Sequence, residues 1–208
     1  MDTARRPLEV RSRAWPGKLA RMVAAAGITP NQISIFSSVC AAAAGASLYW
    51  HRTQLGLLVV AAACIQLRLI CNLIDGMVAV EGGQRTKSGE VFNDMPDRFS
   101  DLFILVPAGY ALGGNGPMLG WLAGTFAVLT AYVRVLGGSL GLSQKFSGPM
   151  AKQHRMAVMT AACLAALVEI PFFGTNYSLW TGLALIAVGS FWTTFRRTRA
   201  IVQELERR

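Results

Sequence analysis

Asn72 to Asp101 reads NLIDGMVAVEGGQRTKSGEVFNDMPDRFSD. It is the one long stretch of the chain that sets several carboxylates against otherwise apolar segments. Asp75 and Gly76 close one hydrophobic run, and Asn93, Asp97 and Asp101 open the next. Positions 93, 97 and 101 are spaced i, i+4, i+8 and share a helix face, while Asn72 and Asp75 are i, i+3 neighbours on the preceding helix. Two helix ends are therefore expected to point oxygen ligands into one space. That is a cage for a hard cation and for phosphates that the cation carries.

Outward from this stretch the chain is apolar. It has 208 residues, 53% of them hydrophobic, with mean hydropathy +0.41. Windows of about 19 residues find several runs long enough to cross about 30 Å of hydrocarbon. The pattern predicts an all-α integral membrane protein. Six spans are expected at roughly 32–50, 54–80, 89–112, 117–138, 149–170 and 177–196, preceded by an amphipathic interfacial helix. This divides the chain into a basic juxtamembrane segment (1–28), a six-helix domain (29–199) and a short charged tail (200–208). The second span contains Arg68, which is costly against lipid and is expected to face the protein interior.

In the first segment Arg5, Arg6, Arg11, Arg13, Lys18 and Arg21 alternate with Trp15, Leu19, Met22 and Val23, a pattern suited to the headgroup plane. It is not expected to act as a cleaved leader, because no short apolar core follows it at once. Thr29-Pro30-Asn31 reads as a helix start. The connections alternate in charge. The N-terminal segment, the 81–92 and 140–156 links and the tail hold most Lys and Arg, whereas the 113–116 and 172–176 links hold none. The positive-inside rule then puts both termini, and the acidic stretch, on the cytoplasmic side. The net charge of +9 is assigned to topology and anionic lipid, not to nucleic acid, since no groove-reading motif is present. Cys40, Cys64, Cys71 and Cys163 form no CxxC pair and read as small core residues.

In its register of small and acidic residues the stretch resembles the CDP-alcohol phosphotransferases, whose signature is D-x-x-D-G-x-x-A-R-x8-G-x-x-x-D-x-x-x-D. Asn72, Asp75, Gly76, Ala79, Val80, Gly89, Asn93 and Asp97 occupy its positions with the full spacing. Thr29-Pro30-Asn31-Gln32-Ile33-Ser34 is similar to the family's N-terminal element. The resemblance implies a membrane homodimer, of the bacterial inner membrane, that takes CDP-diacylglycerol and a small polar alcohol and releases CMP with the help of two divalent ions, Mg²⁺ or Mn²⁺. It implies a metal site of Asn72, Asp75, Asn93 and Asp97, with Asp97 also the general base. Gly76, Ala79 and Gly89 would line the pocket for the CDP moiety.

Three positions depart from the signature: Asn72 and Asn93 stand for aspartates, and Val80 for arginine. An amide oxygen can ligate a hard cation but brings no charge, so the site is expected to hold its metals more weakly, or only one of them firmly. Asp101 is a further candidate ligand, on the right face; Asp94 lies about 100° from Asn93 and is a poorer one. Both also read as solvated charges at the start of a helix. Arg85, Lys87 and Arg98 are near enough in sequence to stand in for the missing arginine. Arg134, Lys152 and Arg155 share the cytoplasmic side and would suit an acceptor bearing a phosphate; their plainer reading is topological charge. His154 reads as an interface residue. Two other functions stay open: a catalytically weakened relative that binds CDP-lipid or acts as a partner subunit, and a small transporter built on Arg68, Arg134 and Glu169.

Overall fold

The computed structural model describes residues 14–81, 88–142 and 148–208. The described residues form seven helices and no strand. They are α1 (Ala14–Ala25), α2 (Pro30–Trp50), α3 (Leu57–Glu81), α4 (Gly89–Leu112), α5 (Gly116–Ser139), α6 (Lys152–Phe173) and α7 (Tyr177–Leu205). Arg5, Arg6, Arg11, Arg13, Arg85 and Lys87 lie outside the described residues.

Local chemistry sets the ends. Thr29 caps α2 as expected: its Oγ1 accepts from the Gln32 amide at 3.3 Å, and Gln32 Oε1 accepts from the Thr29 amide at 2.9 Å. Pro30 follows in the first turn, where a missing N–H costs nothing. Helix α6 starts at Lys152, after the expected position, because the link before it is pinned in extended form. The Met150 amide donates to Thr193 Oγ1 at 3.0 Å, and Gly148 takes φ +127° beside that same threonine. Helix α7 stays helical to Leu205, well past the apolar run.

Helices α2, α4, α5, α7, α6 and α3 each pack on the next in that order, and α3 returns to α2, so six helices close into a ring. Their shared core is built largely from small and aliphatic residues, among them Ala44, Ala61, Ile65, Ala127, Met159, Cys163 and Leu183. Such small side chains let helices approach closely in lipid, where packing replaces the hydrophobic drive. Helix α2 lies close against α4. Pro107 cannot donate to the Phe103 carbonyl, and that carbonyl sits where a Cβ on Gly45 would be. Outward, Val39, Val60, Leu164 and Val188 are exposed.

Five helices, α2, α3, α5, α6 and α7, are long and apolar enough to cross a membrane, and the chain is an integral membrane protein. The sixth expected span, α4, has the length, but it carries Asp94, Asp97, Arg98 and Asp101 and falls short on hydropathy. Helix α1 packs on α3, with Ala20 buried against a cluster that includes Cys71, Ile74 and Val78. Cys40, Cys71 and Cys163 are buried, Cys64 is partly so, and all four are free thiols.

Candidate active site

One end of the ring gathers the starts of α2, α4 and α6 and the ends of α3, α5 and α7. There α3 presents Arg68, Asn72 and Asp75 at i, i+4, i+7, one face of the helix. Asp75 is buried, and its Oδ2 accepts from the Ser34 hydroxyl of α2 at 2.7 Å. Its Oδ1 is buried with no hydrogen-bond partner. The Asn72 Oδ1 accepts from Ser37 at 3.3 Å, and its Nδ2 is likewise unpartnered. Both groups are thus half-satisfied, which is uncommon for buried polar atoms and marks a place where a ligand can complete them.

Helix α4 supplies three aspartates, and each meets a cation from another helix. Asp94 takes Arg134 Nη2 of α5 at 3.0 Å on both oxygens, along with Arg98 one turn on at 3.3 Å. Asp97, buried, takes Lys152 Nζ of α6 at 2.5 Å on Oδ2 and lies 3.6 Å from Arg68 Nη2 through Oδ1. Asp101, fully buried, holds Arg68 at 2.9 Å on one oxygen and Arg155 at 2.7 Å on the other. Arg155 also donates to the Met150 carbonyl at 3.0 Å. Ser100 and Ser38 join α4 to α2 through a hydroxyl pair at 3.2 Å, and Ser38 also donates to the Pro96 carbonyl. Arg68 of α3 reaches Asp97 of α4, and α2 bonds Asp75 through Ser34 and the Pro96 carbonyl through Ser38, so Asp75 and Asp97 stand at the same end of the bundle.

Among the described residues, no three His, Cys, Asp or Glu side chains converge as a cation cage. The oxygens able to ligate there are those of Asp75, Asp97, Asn72 and the exposed Asn93. The buried, unpartnered Asp75 Oδ1 fits one hard cation. A model of the CDP-alcohol phosphatidyltransferases matches residues 27–193.

The chain belongs to the CDP-alcohol phosphatidyltransferase family. It is thereby a transferase of membrane phospholipid synthesis. Phosphatidylinositol phosphate synthase of Mycolicibacterium smegmatis is 26% identical over 200 residues, which cover 91% of this chain and 86% of that protein. The inner membrane protein YnbA of Escherichia coli is 24% identical over 136 residues, covering 65% of this chain and 66% of that protein. Among solved structures, phosphatidylinositol phosphate synthase of Mycobacterium tuberculosis with CDP-DAG bound superposes with a TM-score of 0.74 at 20% identity, over 89% of this chain and 92% of that one. The same enzyme with manganese and citrate gives 0.73 at 21% identity, over 89% and 88%. The fold is that of the family.

Of the residues read from the signature, Asn72, Asp75 and Asp97 lie at one end of the bundle, with Lys152 on Asp97 and Arg155 on Asp101. Asn93 is exposed one turn before Asp97. Gly76 and Ala79 are half-buried one turn and less beyond Asp75, and Gly89 is half-buried at the start of α4. Arg134 and Arg98 share Asp94. Sequence reasoning passed over Ser34 and Ser37 as contacts of the acidic residues. Their signal was there: polar residues three apart on one side of an otherwise apolar helix. It also gave no role to Arg197, just past the sixth expected span. Arg197 is in fact buried, donates to the Thr130 carbonyl at 2.7 Å, and lines a cleft between α5 and α7 together with Arg134 and Glu204.

Proposed function

We propose that the chain moves a phosphatidyl group from CDP-diacylglycerol to the hydroxyl of a small polar alcohol and releases CMP, with Mg²⁺ or Mn²⁺ bound. The observation that carries this reading is Asp97. It is a buried carboxylate at the signature's last position, with cations from two other helices on it. The hydroxyl oxygen forms a bond to the β-phosphorus, the bond from that phosphorus to the CMP oxygen breaks, and Asp97 takes the hydroxyl proton. A divalent ion held by Asp75, Asp97, Asn72 and Asn93 would neutralise diphosphate charge. Both Asp101 oxygens are engaged by arginines, so its part is to fix those cations and not to ligate. Gly76, Ala79 and Gly89 keep side-chain bulk away from the nucleotide.

An acceptor that itself carries a phosphate suits the cations at this end of the bundle, Arg134 late in α5 with Lys152 and Arg155 at the start of α6. The phosphatidylinositol phosphate synthases among the relatives support an inositol phosphate as the first acceptor to try. We read α4 as the sixth span, with both termini cytoplasmic and the protein a homodimer. A C-terminal reporter should score on the cytoplasmic side, and mass measurement in native-like lipid should find two chains.

A catalytically weakened relative is the second reading. It is favoured by the cations on both Asp97 oxygens and by the two asparagines. The test is CMP release from CDP-diacylglycerol in detergent, with Mn²⁺ or Mg²⁺ and a panel of alcohols that includes inositol phosphate. Release that EDTA abolishes supports the transferase. CDP-lipid binding without release under every condition supports the second reading.

A further inference from the structure

The acidic face of this site is neutralised from within. Asp75, Asp97 and Asp101 stand with Arg68, Lys152 and Arg155, three carboxylates with three cations, and Asn72 and Asn93 add oxygens without charge. A cage for two divalent ions needs a surplus of negative charge that this arrangement lacks. Lys152 Nζ already sits on Asp97, the carboxylate that a second ion would need.

Arg68 carries the second observation. It has no solvent exposure, and Nη2 alone reaches Asp97 and Asp101, while Nε and Nη1 are buried without an acceptor in the chain. Burying a guanidinium with open donors is expensive. An arriving anion, such as a phosphate of the donor, would satisfy them. Position 80, where the family has arginine, is valine here, so a cation entering from another turn of α3 also has a role to fill.

We propose that Arg68 and Lys152 are resident cations of the phosphate site, supplying charge that a second divalent ion would otherwise bring, so that the chain binds one divalent ion and not two. Lys152 holds the place beside Asp97, and Arg68 offers its open donors to the diphosphate. This rests on the metal-dependent transferase reading above.

The test is Mn²⁺ binding to the full-length protein in detergent, counted by electron paramagnetic resonance. One ion per chain is expected. In Lys152→Gln a unit of repulsion is gone, and Mn²⁺ should bind at least about tenfold tighter or a second ion should appear; Lys152→Arg should behave as wild type. Lys152 is partly exposed, so its replacement leaves the core intact. For Arg68 the probe is CDP in EDTA. Binding should weaken at least about tenfold in Arg68→Gln and recover in part in Arg68→Lys. Two ions of similar affinity in the wild type would overturn the inference while leaving the metal-dependent reading in place, whereas no ion would overturn both. Unchanged Mn²⁺ affinity in Lys152→Gln, or unchanged CDP binding in a folded Arg68→Gln, would also overturn it.

Discussion

Glu169 at one end of the bundle and Asp75 at the other are both carboxylates on membrane-crossing helices, and the chain treats them differently. Glu169 accepts from the Thr175 hydroxyl at 2.5 Å and from the amides of Tyr177 and Ser178 at 2.6 and 2.7 Å. It thus satisfies the first free N–H groups of α7. Around it, His51 lies between the Leu48 carbonyl and the Asn176 side chain, and Arg52 donates to the Leu112 carbonyl at the end of α4. Polar groups there end on backbone or on capping partners. At the other end Asp75 Oδ1, Asn72 Nδ2, Arg155 Nε and two nitrogens of Arg68 are buried and unpartnered. A finished set of hydrogen bonds belongs to architecture. An unfinished one, kept in place by ion pairs from three helices, belongs to a ligand.

Five substitutions break or sharpen that contrast. The largest effect is expected from Asp97→Asn, which keeps the shape and removes the proton acceptor. CMP release should fall by at least about 10²-fold, with CDP binding reduced far less. If Asp97→Asn keeps near-normal turnover while Asp101→Asn loses it, the catalytic carboxylate lies one helical turn further along α4. Asp101→Asn comes next and should act on stability, because it leaves Arg68 and Arg155 without their shared charge. A loss of about 3 kcal/mol is expected, read as a lower unfolding temperature in detergent. An unchanged transition would show that the pair of arginines does not depend on it.

Asn72→Asp and Asn93→Asp should each tighten Mn²⁺ binding by adding charge to the ligand set. The partly buried position 72 should gain several-fold more than the exposed position 93, where solvent and salt screen the charge. Equal gains would remove burial as the distinguishing feature, and no gain at either would place both side chains outside the ion's reach. The smallest effect belongs to the finished end. Glu169→Gln should cost about 1 kcal/mol, as for a lost helix cap, and leave turnover per folded protein untouched. A drop in turnover there would mean that the two ends are coupled.

Much of this was legible in the sequence because it depends on spacing along a single helix. The capping box at Thr29 is four residues long, and the ends of α4 follow from Gly89 and Gly113. The i, i+4 relation of Asp97 to Asp101 holds wherever the helix points. What was not legible depends on rotation between helices. Nothing in a linear reading says that Lys152, far along the chain, arrives on Asp97 while Arg155 goes to Asp101. Nor does it say that Asn93, on the same nominal face as Asp97, ends up in solvent. Arg68 was legible halfway: its cost in lipid placed it inside, but its partners come from α4. The apolar content of α4 was overestimated, because the same stretch that carries the chemistry lowers its hydropathy.

The meeting of Gly45 and Phe103 has a consequence for the chemistry, although neither residue is polar at its side chain. Seven residues, about 10 Å along a helix, separate Gly45 from Ser38, and a similar rise separates Phe103 from Asp97. A carbonyl released by Pro107 and seated against a bare Cα leaves α2 and α4 no freedom to slide past each other. It works as a dowel between two planks. The dowel fixes how far Ser34, and with it Asp75, stands from Asp97. A lineage could therefore tune the width of its phosphate site by changing one buried glycine, without altering a single residue that the substrate touches.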